Sequence, residues 1–171
     1  MTSYSEIIQI MAAMIIFSTI LLNANRMIHR NTLMQIEGEL EQEVIALGQE
    51  IIEEAHTKDF DEVTVGNELP PTTIPDSFTD ANTLGGDGEA SRRYYNDFDD
   101  YNGHSEIAQT QHGNYTIDVD VFYVDEETLE YTTEKSTFKK IEVLITSEFL
   151  RNNSDELKTY KLEFIRNYYA D

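Results

Sequence analysis

The chain has 171 residues and a formal charge of −21, from 33 acidic and 12 basic side chains. That balance excludes nucleic acid as a primary partner, because a phosphate backbone needs a basic surface, and the length allows one domain plus an extension rather than two full domains. With no cysteine the chain has neither a disulfide framework nor a thiolate metal site, while ten Tyr and eight Phe argue against general disorder.

The first element is a helix that changes character along its length. After Glu6 the run Ile7 to Asn25 carries no charge, and its ~19 residues are close to the ~20 that cross a hydrocarbon core. Nine of the residues from Ile7 to Leu22 are Ile, Leu or Phe. They favour insertion by about 3–5 kcal/mol before Gln9, Ser18 and Thr19 subtract from it. The apolar surface rests on Ile7, Ile8, Ile10, Met14, Ile15, Ile16, Phe17, Ile20, Leu21 and Leu22. Met1 to Ser5 holds no Lys or Arg, unlike the basic start of a secretory signal. Arg26, His29 and Arg30 flank the far end, a positive-inside signal that would by itself keep the remainder in the cytoplasm.

From Ile36 the apolar positions Ile36, Leu40, Val44, Leu47 and Ile51 step by 4, 4, 3 and 4, a one-sided helical stripe between many Glu. Continued from about Ser5 to His56, the helix would be roughly 78 Å long, with Gly38 and Gly48 as its weak points. Ile36, Leu40, Leu47 and Ile51 are the expected docking residues for a head. The expected organisation is residues 1–30 as a membrane or filament-core helix and residues 31–171 as the head. Within the head, 31–56 continues the helix, 57–112 is a loop-rich connector and 113–171 forms a sheet.

The connector holds all three prolines (Pro70, Pro71, Pro75) and the turn sequences Asn67-Glu68, Pro75-Asp76, Gly85-Gly86-Asp87-Gly88 and Asn102-Gly103. Three runs then alternate with period two: Tyr115 to Val124, Phe138 to Thr146 and Tyr160 to Tyr168. Each reads as a half-buried strand. Turn-rich links, including Asn152-Asn153-Ser154-Asp155 before the third, make an antiparallel meander, and one helix across it gives an α+β architecture.

Asp97, Asp99, Asp100 and Asn102 crowd several oxygens into a short turn, a candidate calcium site. It lacks the bidentate Glu of an EF-hand, and an Asx-rich turn on an acidic surface is the plainer reading. Tyr94, Tyr95, Phe98 and Tyr101 read as pins holding this loop to the core. Beyond calcium no cofactor is expected. His104, Ser105, Glu106 and His112 bring catalytic residue types together, yet neither a nucleophile elbow nor a phosphate-cradling loop accompanies them, and the reading is not an enzyme. Asn114-Tyr115-Thr116 and Asn152-Asn153-Ser154 match the glycosylation pattern.

The layout of apolar-then-amphipathic helix, loop-rich connector and C-terminal sheet resembles a type IV pilin or pseudopilin. Besides Glu6 ahead of the apolar helix, the resemblance is carried by ALGQEIIEEAHTKDFDE (Ala46 to Glu62) and DFDDYNG (Asp97 to Gly103) followed by the strands YTIDVDVFYV and KKIEVLIT. It implies a structural subunit that waits in the inner membrane, is handled there by an assembly machinery and polymerises with copies of itself into an extracellular, cell-surface filament. It also implies that Glu6 sets subunit register by pairing with a neighbour's amino terminus, whereas the residues alone equally support an acid at a helix start, favoured by the helix dipole. The opening MTSYSE departs from the basic leader of a typical prepilin, implying a leader already removed or a leaderless relative; removal of Met1 would make Glu6 the fifth residue. The alternative is a single-pass envelope domain, a minor pseudopilin or a ligand- or protein-binding module, that forms no filament.

Overall fold

The computed structural model describes residues 3–66, 74–86, 88–151 and 156–170. Helix α1 runs Tyr4–His56, 53 residues, with Gly38 and Gly48 inside it. The chain divides into two compact units, Met1–Gln42 and Glu43–Asp171, rather than at residue 30. The composition changes near Arg26 because the helix leaves its uncharged stretch. Packing begins only at Val44, the first fully buried helical residue.

In the first unit Ser3 stands just before α1; its backbone N–H donates to Glu6 Oε2 at 3.1 Å while Ser3 O accepts from Glu6 N at 3.0 Å. This is the acidic half of a capping box. Farther on, Thr19 Oγ1 donates to Ile16 O at 2.8 Å and Thr32 Oγ1 to Ile28 O at 3.0 Å. Hydroxyls bonded back to the helix in this way leave no unsatisfied donor in an apolar stretch.

In the second unit strands β1 (Ser105–Gln109), β2 (Asn114–Tyr123), β3 (Phe138–Thr146) and β4 (Tyr160–Asn167) form an antiparallel meander in sequence order. With the last turns of α1 packed on it, the head is α+β. The three strands read from alternation are present to within a residue or so at their ends. β1 falls inside the expected connector. Its one large apolar residue, Ile107, faces solvent while Glu106 and Ala108 are half-buried, so no apolar alternation marks it. The connector also builds a small core with the end of β2, Phe60, Phe78, Leu84 and Tyr123, with Ile74, Ala81 and Tyr168 against it. Asn67, Glu68, Pro70, Pro71, Asp87 and Asn152 to Asp155 lie outside the described residues.

Register sorts the inner face into rows across the sheet: Ile117–Ile145–Tyr160, Val119–Val143–Leu162, Val121–Ile141–Phe164 and Tyr123–Lys139–Arg166. The first three are almost wholly apolar, and each fully buried Val or Ile in them contributes about 1.5–3 kcal/mol. The fourth places two cations side by side inside the protein. On the outer face, Glu142 stands opposite Glu163. Lys140 and Lys161 bridge this like-charged pair at 2.7–3.1 Å.

The helix face on the sheet is Val44, Gly48, Ile51 and Ala55. Of the expected docking residues only Ile51 is fully buried. Leu47 is half-buried, and Ile36, 45% exposed, belongs with Leu40 to the first unit. The correction has a steric cause. A Cβ at Gly48 would stand 2.8 and 2.9 Å from the two Cδ atoms of Leu162 and 3.3 Å from Ile145 Cδ1. The closest approach therefore requires small residues, whereas a hydrophobic stripe is read from large ones.

Candidate functional site

Two regions are unusual enough to carry function. The first is the apolar part of α1, long and apolar enough to cross a membrane, with none of it buried. All ten residues expected there, from Ile7 to Leu22, are exposed, Phe17 at 67%. Each such side chain left in water forgoes its burial energy, so this surface is stable only in apolar surroundings. Glu6, at its start, is occupied by the Ser3 backbone.

The second is the charged row of the sheet. Lys139 is in phase with Ile141, Val143 and Ile145 and is 0% exposed. Its Nζ donates to Asp61 Oδ2 at 2.7 Å, to Phe60 O at 2.9 Å and to Asp99 Oδ1. It also lies 4.7 Å from the centre of the Phe60 ring and 5.3 Å from that of Tyr123. Asp61 reaches this point because α1 ends at His56 and the chain turns beneath the row. Its carboxylate also accepts from Thr79 N, Thr79 Oγ1, Val63 N and the Tyr123 hydroxyl. Arg166, the next residue along the row, donates to Lys58 O at 2.7 Å and Asp59 O at 3.1 Å. A bridge between Asp59 and Asp97 then brings the DFDDYNG loop alongside, with Phe98 N donating to Asp59 O at 2.9 Å. The FDE, DFDDYNG and KKIEVLIT stretches, far apart in sequence, thus meet at one buried amine.

The four residues expected to hold calcium have other roles. Asp97 Oδ1 accepts from Asp99 N and Asp100 N, and Asp100 Oδ2 from Asn96 N and Asp97 N. Asp99 faces Lys139. Asn102 accepts from Val121 N and donates to Leu84 O, fixing the turn to β2 and the connector. Among the described residues no group of three or more His, Cys, Asp or Glu is arranged to hold a metal ion. Burial pushes the Asp97 carboxyl well above the usual range, and the Asp99 charge pushes it further. Burial raises Asp99 as well, against the pull of Lys139. Of the four loop aromatics, Phe98 and Tyr101 are fully buried and Tyr95 packs edge-on against Tyr101, but Tyr94 is 64% exposed and pins nothing.

A second polar clamp holds the end of α1. Arg92 meets Glu54 at 2.5 and 2.9 Å, Glu50 at 3.0 Å and Glu106 at 2.8 Å, and the Tyr101 hydroxyl donates to Glu54 at 2.8 Å. Burial opposes ionisation of Glu54, but Arg92 and Tyr101 hold its carboxyl below the usual range. His112 stands 3.0 Å from Glu43, which also accepts from the Tyr115 hydroxyl. Ser105 donates to Asp118 at 2.7 Å, while His104 contacts Tyr95, so the structure does not join Ser105 to a histidine base. Asn114, in the one glycosylation match within the described residues, opens β2 and is exposed.

Comparison with family models, with curated proteins and with solved structures gives no match to this chain.

Proposed function

We propose that this chain is a structural subunit of a type IV pilus-like filament, held in the inner membrane by residues 7–22 before assembly and packed through them against other copies afterwards. One observation carries the reading. A single uninterrupted helix is apolar and wholly exposed at one end and, at the other, is part of the core of an acidic α+β head. A simple anchor requires only the apolar part, with any linker to its domain. A helix whose last turns belong to the head's own core makes the apolar segment and the head parts of one element, as a polymerising subunit requires.

In this reading the apolar side chains exchange lipid for neighbouring helices, with Ala12, Ala13 and Ser18 allowing close approach. Glu6 gives up its bond to Ser3 for a neighbour's amino terminus and so sets register. The test is negative-stain electron microscopy of filaments sheared from the native cells, with immunogold labelling of the head and mass spectrometry of the subunit N-terminus. Labelled filaments along their length support the proposal. A chain confined to the membrane fraction, with unlabelled filaments, rejects it in favour of a monomeric single-pass binding domain.

A further inference from the structure

We propose that Lys139 and Asp99 form an intramolecular amide, a covalent cross-link between β3 and the loop that precedes β1, with Asp61 as the residue that carries the proton. The inference concerns the head alone and stands whether or not the chain forms filaments.

The geometry supplies each requirement. The amine and both carboxyl groups are shielded from water, Lys139 and Asp61 at 0% exposure and Asp99 at 1%. The nucleophile and the electrophile are already in contact, Nζ on Asp99 Oδ1, so the reaction needs no encounter, and effective concentrations in such fixed geometries far exceed any in solution. The two carboxylates are not equivalent. Asp61 accepts further hydrogen bonds from Thr79 N, Thr79 Oγ1 and Val63 N, which hold its carboxylate in place. Asp99 has Lys139 as the sole side-chain hydrogen-bond partner among the described residues. Asp99 is therefore the group that reacts and Asp61 the group that remains a base.

The step balances without oxidant or reductant. The ammonium passes a proton to Asp99 across their contact, giving the neutral amine and the neutral acid that the reaction needs. The Nζ lone pair attacks Asp99 Cγ and the C–N bond forms. Asp61 takes a proton from Nζ and returns it to the departing hydroxyl. The C–O bond breaks, one water leaves and Asp61 is again a carboxylate. The product replaces two buried charges by one amide, whose N–H keeps Asp61 Oδ2 or Phe60 O as acceptor. Loss of two desolvated charges and release of water favour the product, against the cost of leaving Asp61 without its counter-charge. Phe60 and Tyr123, their rings over Nζ, keep solvent from reversing it.

Trypsin provides the test on the full-length chain purified in detergent. No Lys or Arg lies between Arg93 and Lys135, so digestion releases residues 94–135 intact, with Asp99 inside. An amidated Lys139 resists cleavage. The expected product is 94–135 joined to 136–140 and lighter by one water than the two together, with fragment ions placing the branch at Asp99. Recovery of 94–135 and 136–139 as separate linear peptides from folded protein would overturn the proposal. A branch at Asp61 or Asp97 would overturn the assignment of Asp99. Asp99→Ala should release both peptides. Asp61→Asn should slow formation of the link by on the order of a hundredfold, the ordinary contribution of a positioned acid–base group. Because the wild-type digest decides the matter, a variant that does not fold leaves the test intact.

Discussion

The two units invert the usual rule of solvation in opposite ways. Residues 4–42 expose apolar side chains, whereas the head buries Lys139, Arg166, Asp61, Asp97, Asp99 and Asp100. The first arrangement is stable only when other molecules supply an apolar environment. The second is stable only when the protein itself supplies counter-charges and hydrogen-bond partners, and the head does so completely enough to bury the Lys139 side chain at 0% exposure. Partner dependence is thus concentrated in one unit, and internal sufficiency in the other.

The largest effect should come from removing the Lys139 side-chain nitrogen. Lys139→Met leaves Asp61 and Asp99 facing each other without a counter-charge and should cost at least about 3–5 kcal/mol. Urea titration of the full chain in detergent, followed by near-ultraviolet circular dichroism of its buried tyrosines, measures it. Next is a charge in the apolar unit. Phe17→Arg should weaken membrane insertion by about 3–4 kcal/mol, read as loss of the chain from floating vesicles, with head stability unchanged. The two helical glycines sharpen the contrast between the units. Gly48→Leu drives a side chain into Leu162 and Ile145 and should destabilise the head by about 1–3 kcal/mol. Gly38→Ala, with nothing within 4 Å, should gain up to about 1 kcal/mol of helix stability.

The smallest effect is expected in pH dependence, where opposing groups partly cancel. Asp97, raised above all by burial, binds a proton more tightly folded than unfolded. Its stabilisation is complete below the ordinary carboxylate range and is lost as pH rises through that range toward its own elevated value. Glu43 and Glu54 are shifted downward despite burial, Glu43 by Tyr115 and His112 and Glu54 by Arg92 and Tyr101, so their stabilisation is lost only in stronger acid. The melting temperature should therefore be highest in mild acid and fall toward neutral and alkaline pH, and Asp97→Asn should flatten the alkaline side.

Much of this was legible in the sequence, for identifiable reasons. The apolar helix declares itself by an uncharged run, and β2, β3 and β4 by alternation. Arg166 could be placed on the inner face from its phase with Leu162 and Phe164, and Lys139, in phase with Ile141 and Val143, carried the same signal unread. The partners of Lys139 were not legible, because Asp61 and Asp99 arrive from 78 and 40 residues away through the turn after α1 and the bridge at Asp97. The docking face was only partly legible because Gly48 and Ala55 contribute by being small, and β1 was missed because its apolar residue points outward. The oxygens of the DFDDYNG loop suggested a metal ligand set, but which of them backbone amides occupy is settled only by the fold.

The most direct test of the central claim is photo-crosslinking in native cells with a photoreactive amino acid in place of Phe17. The account predicts ladders of dimers, trimers and longer oligomers in the sheared extracellular fraction, with the adducts mapping to residues 7–22 of other copies. Adducts to lipid alone, in a chain recovered only from membranes, would contradict it.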